Sequence, residues 1–367
     1  MARIISSMET LEGLTKIYPD GKNIFYNSRG KFVRDMFVIL FSAYAEYIGK
    51  NDMKFAEPFS ATGVKGMRLA KEGHGFSNFI LNDIDSFAVK SILHGIEENN
   101  LGGFEVNNLD AFSFLDKLKT LGRVDALDID PFGSAAPYIQ PSLRSVKDKG
   151  FVAFTFTDTP VLGTVHNDAL VKRYHVKSNK VYFLKELQAR IAASIVISEG
   201  SVINVAPVPF FAHVFEHYVR VYFQVRASPS LSLDLMNKLS YIYSSECGYA
   251  SLEKTDVCPY CGKRINVSGP VYTGKLFSNE LIRIAVKNAV ACKPCYKLFH
   301  TALNEIDLPY YYELSRLANI LKMQVPSALK IIGLLNRFGY ESSPTSFSYS
   351  GVKTRAPVSV VKSAFYF

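Results

Sequence analysis

Two groups of residues in this sequence have types and spacing suited to chemistry. The first is Cys258-x2-Cys261, then thirty intervening residues, then Cys292-x2-Cys295. Two such knuckles closing one loop are the pattern of a tetrahedral zinc site with four thiolates. Such a metal staples a segment too small to bury its own core. With no open coordination position, it is expected to be structural. The competing readings are four buried thiols or a redox pair. Cys247 lies outside the spacing and reads as a core thiol.

The second group is Asp128-Ile129-Asp130-Pro131-Phe132-Gly133, directly after the apolar run 124–127. A strand that ends in Asp-Pro at a turn puts a carboxylate and a neighbouring carbonyl at the carboxyl edge of a sheet, where open α/β folds bind ligands. An exocyclic amino group on a base is a poor nucleophile, because its lone pair is delocalised into the ring. Two acceptors aimed at its N–H groups hold the nitrogen toward an electrophile, and one can take the released proton. Phe132 would offer a face for stacking an extruded base. Alone, Asp-Pro is also a common turn.

Three further edges surround that motif. Glu57-Pro58-Phe59-Ser60-Ala61-Thr62-Gly63-Val64-Lys65-Gly66 follows an apolar run and opens a helical one. Small residues such as Ser60 and Gly63 there let the backbone approach a ligand closely. Asp83, after Leu81-Asn82, is placed to accept bonds from ribose hydroxyls. Asp110, ahead of Ala111, can meet an adenine amino group. Each acid has a simpler reading as a helix N-cap, and Asp110 most of all.

The elements that must position these residues follow from periodicity. Strands are expected at 54–58, 78–82, 104–107, 124–129 and 150–156, with helices at 63–72, 86–99, 111–121, 136–146 and 181–199. A last pair, 202–208 and 217–225, lacks a helical stretch between its members and reads as an antiparallel hairpin. Residues 29–48 read as one amphipathic helix. This is the layout of a Rossmann-like class I methyltransferase sheet. The Pro/Ser break at 227–232 divides the chain into an α/β domain, 1–228, and a C-terminal α+β zinc-containing domain, 229–367. Within the latter, helical stretches at 310–322 and 326–338 and a polar tail resemble a winged-helix arrangement.

Composition bounds the function. Hydrophobic residues are 48% and charged residues 20% of the 367, which excludes general disorder. The longest apolar stretch, 36–45, is far below the roughly 20 residues that span a bilayer. The opening MARIISSMET lacks the marks of a secretory leader, so a cytoplasmic protein is expected. Net charge is +9, and residues 258–367, with 14 Lys or Arg against five Asp or Glu, hold all of the excess. A neutral body with a basic end suggests a catalytic module joined to a polyanion-binding one. The plain alternative is a solvated cationic surface.

Together these residues resemble one family, the tRNA (guanine-26, 2-amino) dimethyltransferases of archaea and eukaryotes, over nearly the whole chain. The resemblance rests on Phe25-Tyr26-Asn27 with Arg34-Asp35, Ser60-Ala61-Thr62-Gly63, Asn82-Asp83-Ile84 and Asp130-Pro131-Phe132-Gly133. Further matches are Thr157-Asp158-Thr159 with Val165-His166, the run from Ser268 through Gly274, and Ser350-Gly351-Val352-Lys353-Thr354. Ser28 stands where the family often has Pro, Val33 where a polar residue often precedes Arg-Asp, and Lys65 where Arg is common.

The resemblance implies a class I methyltransferase that uses S-adenosylmethionine to methylate one guanine of tRNA up to twice. Arg34, Asp83 and Asp110 would contact the cofactor, together with Ser60, Gly63 and Ala111. Asp130 would be the catalytic carboxylate, and Phe25 and Phe132 would hold the guanine between them. The basic domain would grip tRNA phosphates, with Lys263, Arg264, Lys353 and Arg355 as candidates. No membrane or obligate protein partner is called for. The rival readings are an adenine-amino methyltransferase and a non-catalytic zinc-containing RNA-binding protein.

Overall fold

The computed structural model describes residues 9–19 and 24–367. Most of the opening segment, on which the leader expectation rests, lies outside them. A short hairpin of β1 (Thr10–Glu12) and β2 (Thr15–Ile17) precedes α1 (Lys31–Ile48). The alternating part follows as β3 (Met53–Glu57), α2 (Val64–Glu72), β4 (Phe76–Asn82), α3 (Ser86–Glu98), β5 (Phe104–Asn107), α4 (Ala111–Thr120), β6 (Val124–Ile129), α5 (Ile139–Ser145) and β7 (Val146–Phe156). Then come α6 (Thr159–Leu162), α7 (Asn167–Tyr174), α8 (Leu184–Val202), β8 (Ala206–Phe215) and β9 (Tyr218–Arg226).

The seven strands β3–β9 form one sheet in the order β5-β4-β3-β6-β7-β9-β8. All are parallel except β9, which runs antiparallel to β7 and β8. The chain builds outward from β3 to β5, then returns to place β6 on the other side of β3. That reversal opens a crevice at the carboxyl ends of β3 and β6. β6 is buried at every residue, as a central parallel strand covered on both faces must be. Its Val124, Leu127 and Ile129 face a core built with α4, α5 and α8. Ala126 faces the other core, built with α1 and Ile92 of α3.

The expected strand at 202–208 is displaced: α8 runs on through Val202, and β8 begins at Ala206. The apolar run there fits either structure, and Pro207 and Pro209 decide where pairing starts. β8 is the edge of the sheet and pairs with β9 alone, so two residues without N–H groups are tolerated in it.

Most of the expected break at 227–232 is helical: α9 (Pro229–Met236) starts within it, N-capped by Ser228 and with Pro229 at its first position. A small sheet of β10 (Leu239–Ser244), β11 (Ala250–Ser251) and β12 (Asn266–Tyr272) packs on α8. The buried Arg190 of α8 donates to the carbonyls of Tyr272 and Gly274 at 2.8 and 3.0 Å. Next, α10 (Asn279–Asn288) and α11 (Lys293–Leu303) lay Leu281, Ile282, Ala285, Phe299 and Ala302 into the core of α1. A separate core unites β13 (Tyr312–Glu313), α12 (Leu314–Leu321), α13 (Ala328–Arg337), β15 (Ser348–Thr354) and α14 (Val358–Ser363), with β14 (Ser342–Thr345) paired to β15. The helices expected at 310–322 and 326–338 are present in shortened form as α12 and α13; residues 312–313 instead form β13, which pairs with β15, and the polar tail folds into the β14–β15 hairpin. No helix among the described residues is long and apolar enough to cross a membrane.

Candidate active site

The carboxyl end of β6 carries Asp128 and Asp130, and the structure gathers both around one lysine. Lys65, from the first turn of α2, places its Nζ 2.6 Å from Asp128, 2.8 Å from Asp130 and 2.9 Å from Glu57 at the end of β3. Arg220 of β9 reaches across β7, bonding Asp128 and, at 2.6 Å, the Thr155 hydroxyl. Asp128 and Glu57 are fully buried, whereas 35% of the Asp130 side chain is open. Asp130 is therefore the carboxylate of this group that can meet a substrate.

The shared lysine does not treat its acids alike. Burial pushes the Asp130 carboxyl up, but the charges of Lys65 and Arg220 outweigh it and hold the group below the usual carboxylate range. Glu57 goes the other way. Its burial, together with the charges of Asp128 and Asp130, exceeds the pull of Lys65 and carries it up to about 8. Two carboxyls on one ammonium thus lie on opposite sides of neutrality. That division leaves Asp130 the readier of the two to carry charge.

The turn after Asp130 is fixed from the next strand. Gly133 has a φ of 85°, and its N–H donates to the Thr157 hydroxyl at 2.7 Å, while Thr157 N–H returns a bond to the Gly133 carbonyl at 2.8 Å. This holds Phe132 outward, 79% exposed. Phe25, 58% exposed, stands opposite with ring centroids 5.0 Å apart and planes at 84°. The two exposed rings therefore touch edge to face, and a flat ligand can stack on either one once they part. Arg34, expected at the cofactor, is paired with the buried Glu12 and donates to the Asn27 carbonyl at 2.9 Å. It positions the Phe25–Asn27 segment, because Glu12 arrives from the N-terminal hairpin.

The other sequence-predicted acids line the adjoining edge. Asp83 accepts the N–H of Ala61 at 2.8 Å and that of Asp85 at 3.0 Å. Gly63 has a φ of 70°, and a Cβ there would meet Ile92 at 3.1 Å. The Ser60 hydroxyl is turned inward onto the Glu57 carbonyl at 2.9 Å. Asp110 caps α4, accepting from Phe112 and Ser113 N–H at 3.0 and 3.1 Å ahead of Ala111. The bond from Ser113 holds its carboxyl below the usual range.

Sequence reasoning missed Asn82 as the staple of this edge: its side chain donates to the carbonyls of Pro58 and Leu109 and accepts from Leu109 N–H. It also missed Ile84 and Phe112, 73% and 50% exposed, which flank the acids. The available signal was a large apolar residue one or two positions after each edge acid, where solvent alone would favour a polar one.

A family model described as N2,N2-dimethylguanosine tRNA methyltransferase matches residues 6–366. The chain belongs to this family. The tRNA (guanine(26)-N(2))-dimethyltransferase of Sulfurisphaera tokodaii is 30% identical to it, over 93% of this chain and 90% of the relative. That of Archaeoglobus fulgidus is 30% identical, over 96% and 97%. Trm1 from Pyrococcus horikoshii, solved in complex with S-adenosyl-L-methionine, superposes with a TM-score of 0.85 at 25% identity, covering 97% of this chain and 99% of that one.

In this N2,N2-dimethylguanosine tRNA methyltransferase family member the cysteines do not assemble as their spacing predicts. Cys258 and Cys261 are joined by Cys247, all three sulfurs lying within 4.8 Å of one another. Cys292 and Cys295 are bonded to each other as a disulfide. The reason is tertiary: packing of α10 and α11 on α1 carries the second pair to that face, while Cys247 and Cys258 follow β10. The trio could hold zinc. Cys247 and Cys258 sulfurs are 3.6 Å apart, close to the edge of about 3.8 Å for a tetrahedron with ~2.3 Å Zn–S bonds. The Ser245 hydroxyl bonded to Cys261 holds that thiol down at about 7.

The phosphate-gripping candidates also divide. Arg264 and Arg355 are exposed, and Lys263 is exposed but paired with Glu246 at 2.9 Å. Lys353 is overturned as a surface contact. It is 2% exposed and bonds Glu186 of α8 and Glu305, both at 2.8 Å, because β15 is covered on both faces from Gly351 to Thr354.

Proposed function

We infer that this chain transfers one or two methyl groups from S-adenosylmethionine to the 2-amino group of guanine at position 26 of tRNA. The observation that carries the reading is Asp130, charged and open, beside the exposed Phe25 and Phe132 at the carboxyl edge of β6, in a member of this family. S-adenosylmethionine supplies an activated methyl group when bound. Asp83 would hold its ribose, Ile84 and Phe112 would flank its adenine, and the turn from Ser60 to Gly63 would lie against its methionine portion.

The chain's own part is to receive, orient and deprotonate. Phe25 and Phe132, in edge-to-face contact here, part to take the flipped guanine between them; unstacking costs a few kcal/mol, offset by stacking and edge hydrogen bonds in the pocket. Asp130 and a neighbouring backbone carbonyl accept the two amino N–H groups, and the carboxylate takes the proton released as the N–C bond forms. Lys65 keeps that carboxylate charged and fixed. Residues 1–228 form the catalytic module, and residues 229–367 bind tRNA and carry the zinc. The proposed compartment is the cytoplasm.

The test is methylation of an unmodified tRNA transcript, with nucleosides identified by mass spectrometry. Dimethylguanosine should form, and none should form on a transcript with adenosine in place of guanine-26. Asp130→Ala should lose about 10²–10⁴ in turnover, the contribution typical of a general base, while still binding S-adenosylmethionine. Methylation at another site would overturn the specificity. Equal loss of turnover and cofactor binding would overturn the role of Asp130.

A further inference from the structure

Helix α11 has two faces that differ in kind. Cys295, Phe299 and Ala302 are buried against α1, and the Cys292–Cys295 disulfide closes the first turn. On the opposite face Lys293, Tyr296, Lys297 and His300 follow one another at the i, i+3, i+4, i+7 spacing of a single stripe, all exposed. No acidic residue occurs in the helix. The Tyr296 and His300 rings stack along it with centroids 5.8 Å apart. From β15, Tyr349 stands over the stripe with its ring 5.2 Å from the Lys297 ammonium, and it is 91% exposed.

A tyrosine this exposed contributes nothing to a core, and a solubility face has no use for three aromatic rings among its cations. Aromatic rings interleaved with lysines are the surface that unpaired nucleotides recognise, bases stacking on the rings while the ammonium groups meet phosphates. We propose that Lys293, Tyr296, Lys297, His300 and Tyr349, none of them among the residues of the methyl-transfer site, form a docking surface for tRNA. There Tyr349 stacks one unpaired base, and Lys293 and Lys297 hold the adjoining phosphates. This rests on the tRNA reading above and names the part of the C-terminal region that touches the nucleic acid.

The experiment compares tRNA binding by fluorescence anisotropy, and steady-state methylation, for the full chain and exposed-site variants. Tyr349→Ala should weaken tRNA binding about fivefold or more, the loss expected when one base is deprived of its aromatic platform. Its KM for tRNA should rise while kcat at saturation and S-adenosylmethionine binding stay unchanged. Tyr349→Phe should bind as the unaltered chain does. Lys293→Ala with Lys297→Ala should flatten the dependence of log affinity on log salt by about 0.7–0.9 for each phosphate that a lysine no longer neutralises. Wild-type affinity in Tyr349→Ala, or an unchanged salt slope in the double variant, would overturn the proposal. A chain that binds tRNA but methylates none would overturn the function reading instead, and the binding comparison would still decide this surface.

Discussion

Replacing Lys65 by Met tests the electrostatic core of the site. The substitution keeps the length of the side chain but leaves Glu57, Asp128 and Asp130 around an apolar tip, with Arg220 as the remaining cation on Asp128. Removing one partner of a buried ion pair costs about 3–5 kcal/mol, because the other charge stays buried. At roughly 2.1 cal/mol/K of unfolding entropy per residue, 367 residues give about 0.8 kcal/mol/K, so the melting temperature should fall by about 4–6 °C at pH 7. The sign with pH follows from Asp130, whose carboxyl is held below its ordinary value in the folded chain. The stability it contributes is present above the unfolded carboxylate value and lost as pH falls through the folded one. The gap between the two proteins should therefore narrow toward acid. Activity supplies the second readout: without Lys65 the Asp130 carboxyl titrates higher, so the acid limb of the rate profile moves up in pH. Lys65→Arg, which keeps the charge, should retain the original profile. A Lys65→Met protein melting within about 1 °C of the original, with an unmoved acid limb, would refute the claim that Lys65 governs Asp130.

Glu57→Gln should make stability less dependent on pH. Glu57 is held up at about 8 against an ordinary 4.5, so folding takes up a proton and stability declines as pH rises from about 4.5 through 8. Thermal melts across that window should be flatter in the Gln variant. Cys258→Ser and Cys247→Ser should each remove zinc measured by elemental mass spectrometry, and Cys292→Ser should not; zinc lost in Cys292→Ser would restore the pairing that the spacing predicts. Asn82→Ala leaves buried backbone groups of the Pro58 and Leu109 loops unsatisfied, at about 1–3 kcal/mol. It should weaken S-adenosylmethionine binding in calorimetry while tRNA affinity is kept.

Much of the fold was legible because its signals are local. Strand-length apolar runs and helical periodicity placed β3 to β7 and α2 to α4 within a few residues. Turn chemistry put Asp83, Asp110 and Asp130 at one edge of the sheet. The edge strand was misplaced where an apolar run could be helix or strand, and its prolines were the decisive signal.

What the residues determined by themselves was the set of chemical groups and the edge to which each belongs, since alternation and turns act over a few positions. The tertiary structure alone decided which groups meet. Lys65 finds Asp128 at a separation of 63 residues, Arg220 finds the same acid at 92, and Lys353 finds Glu186 at 167. It also joined Cys247 to Cys258 and Cys261 and drew Cys292 and Cys295 away onto α1. Charges and thiols carry no label for their partner; the path of the chain, set by burying apolar faces, chooses it for them.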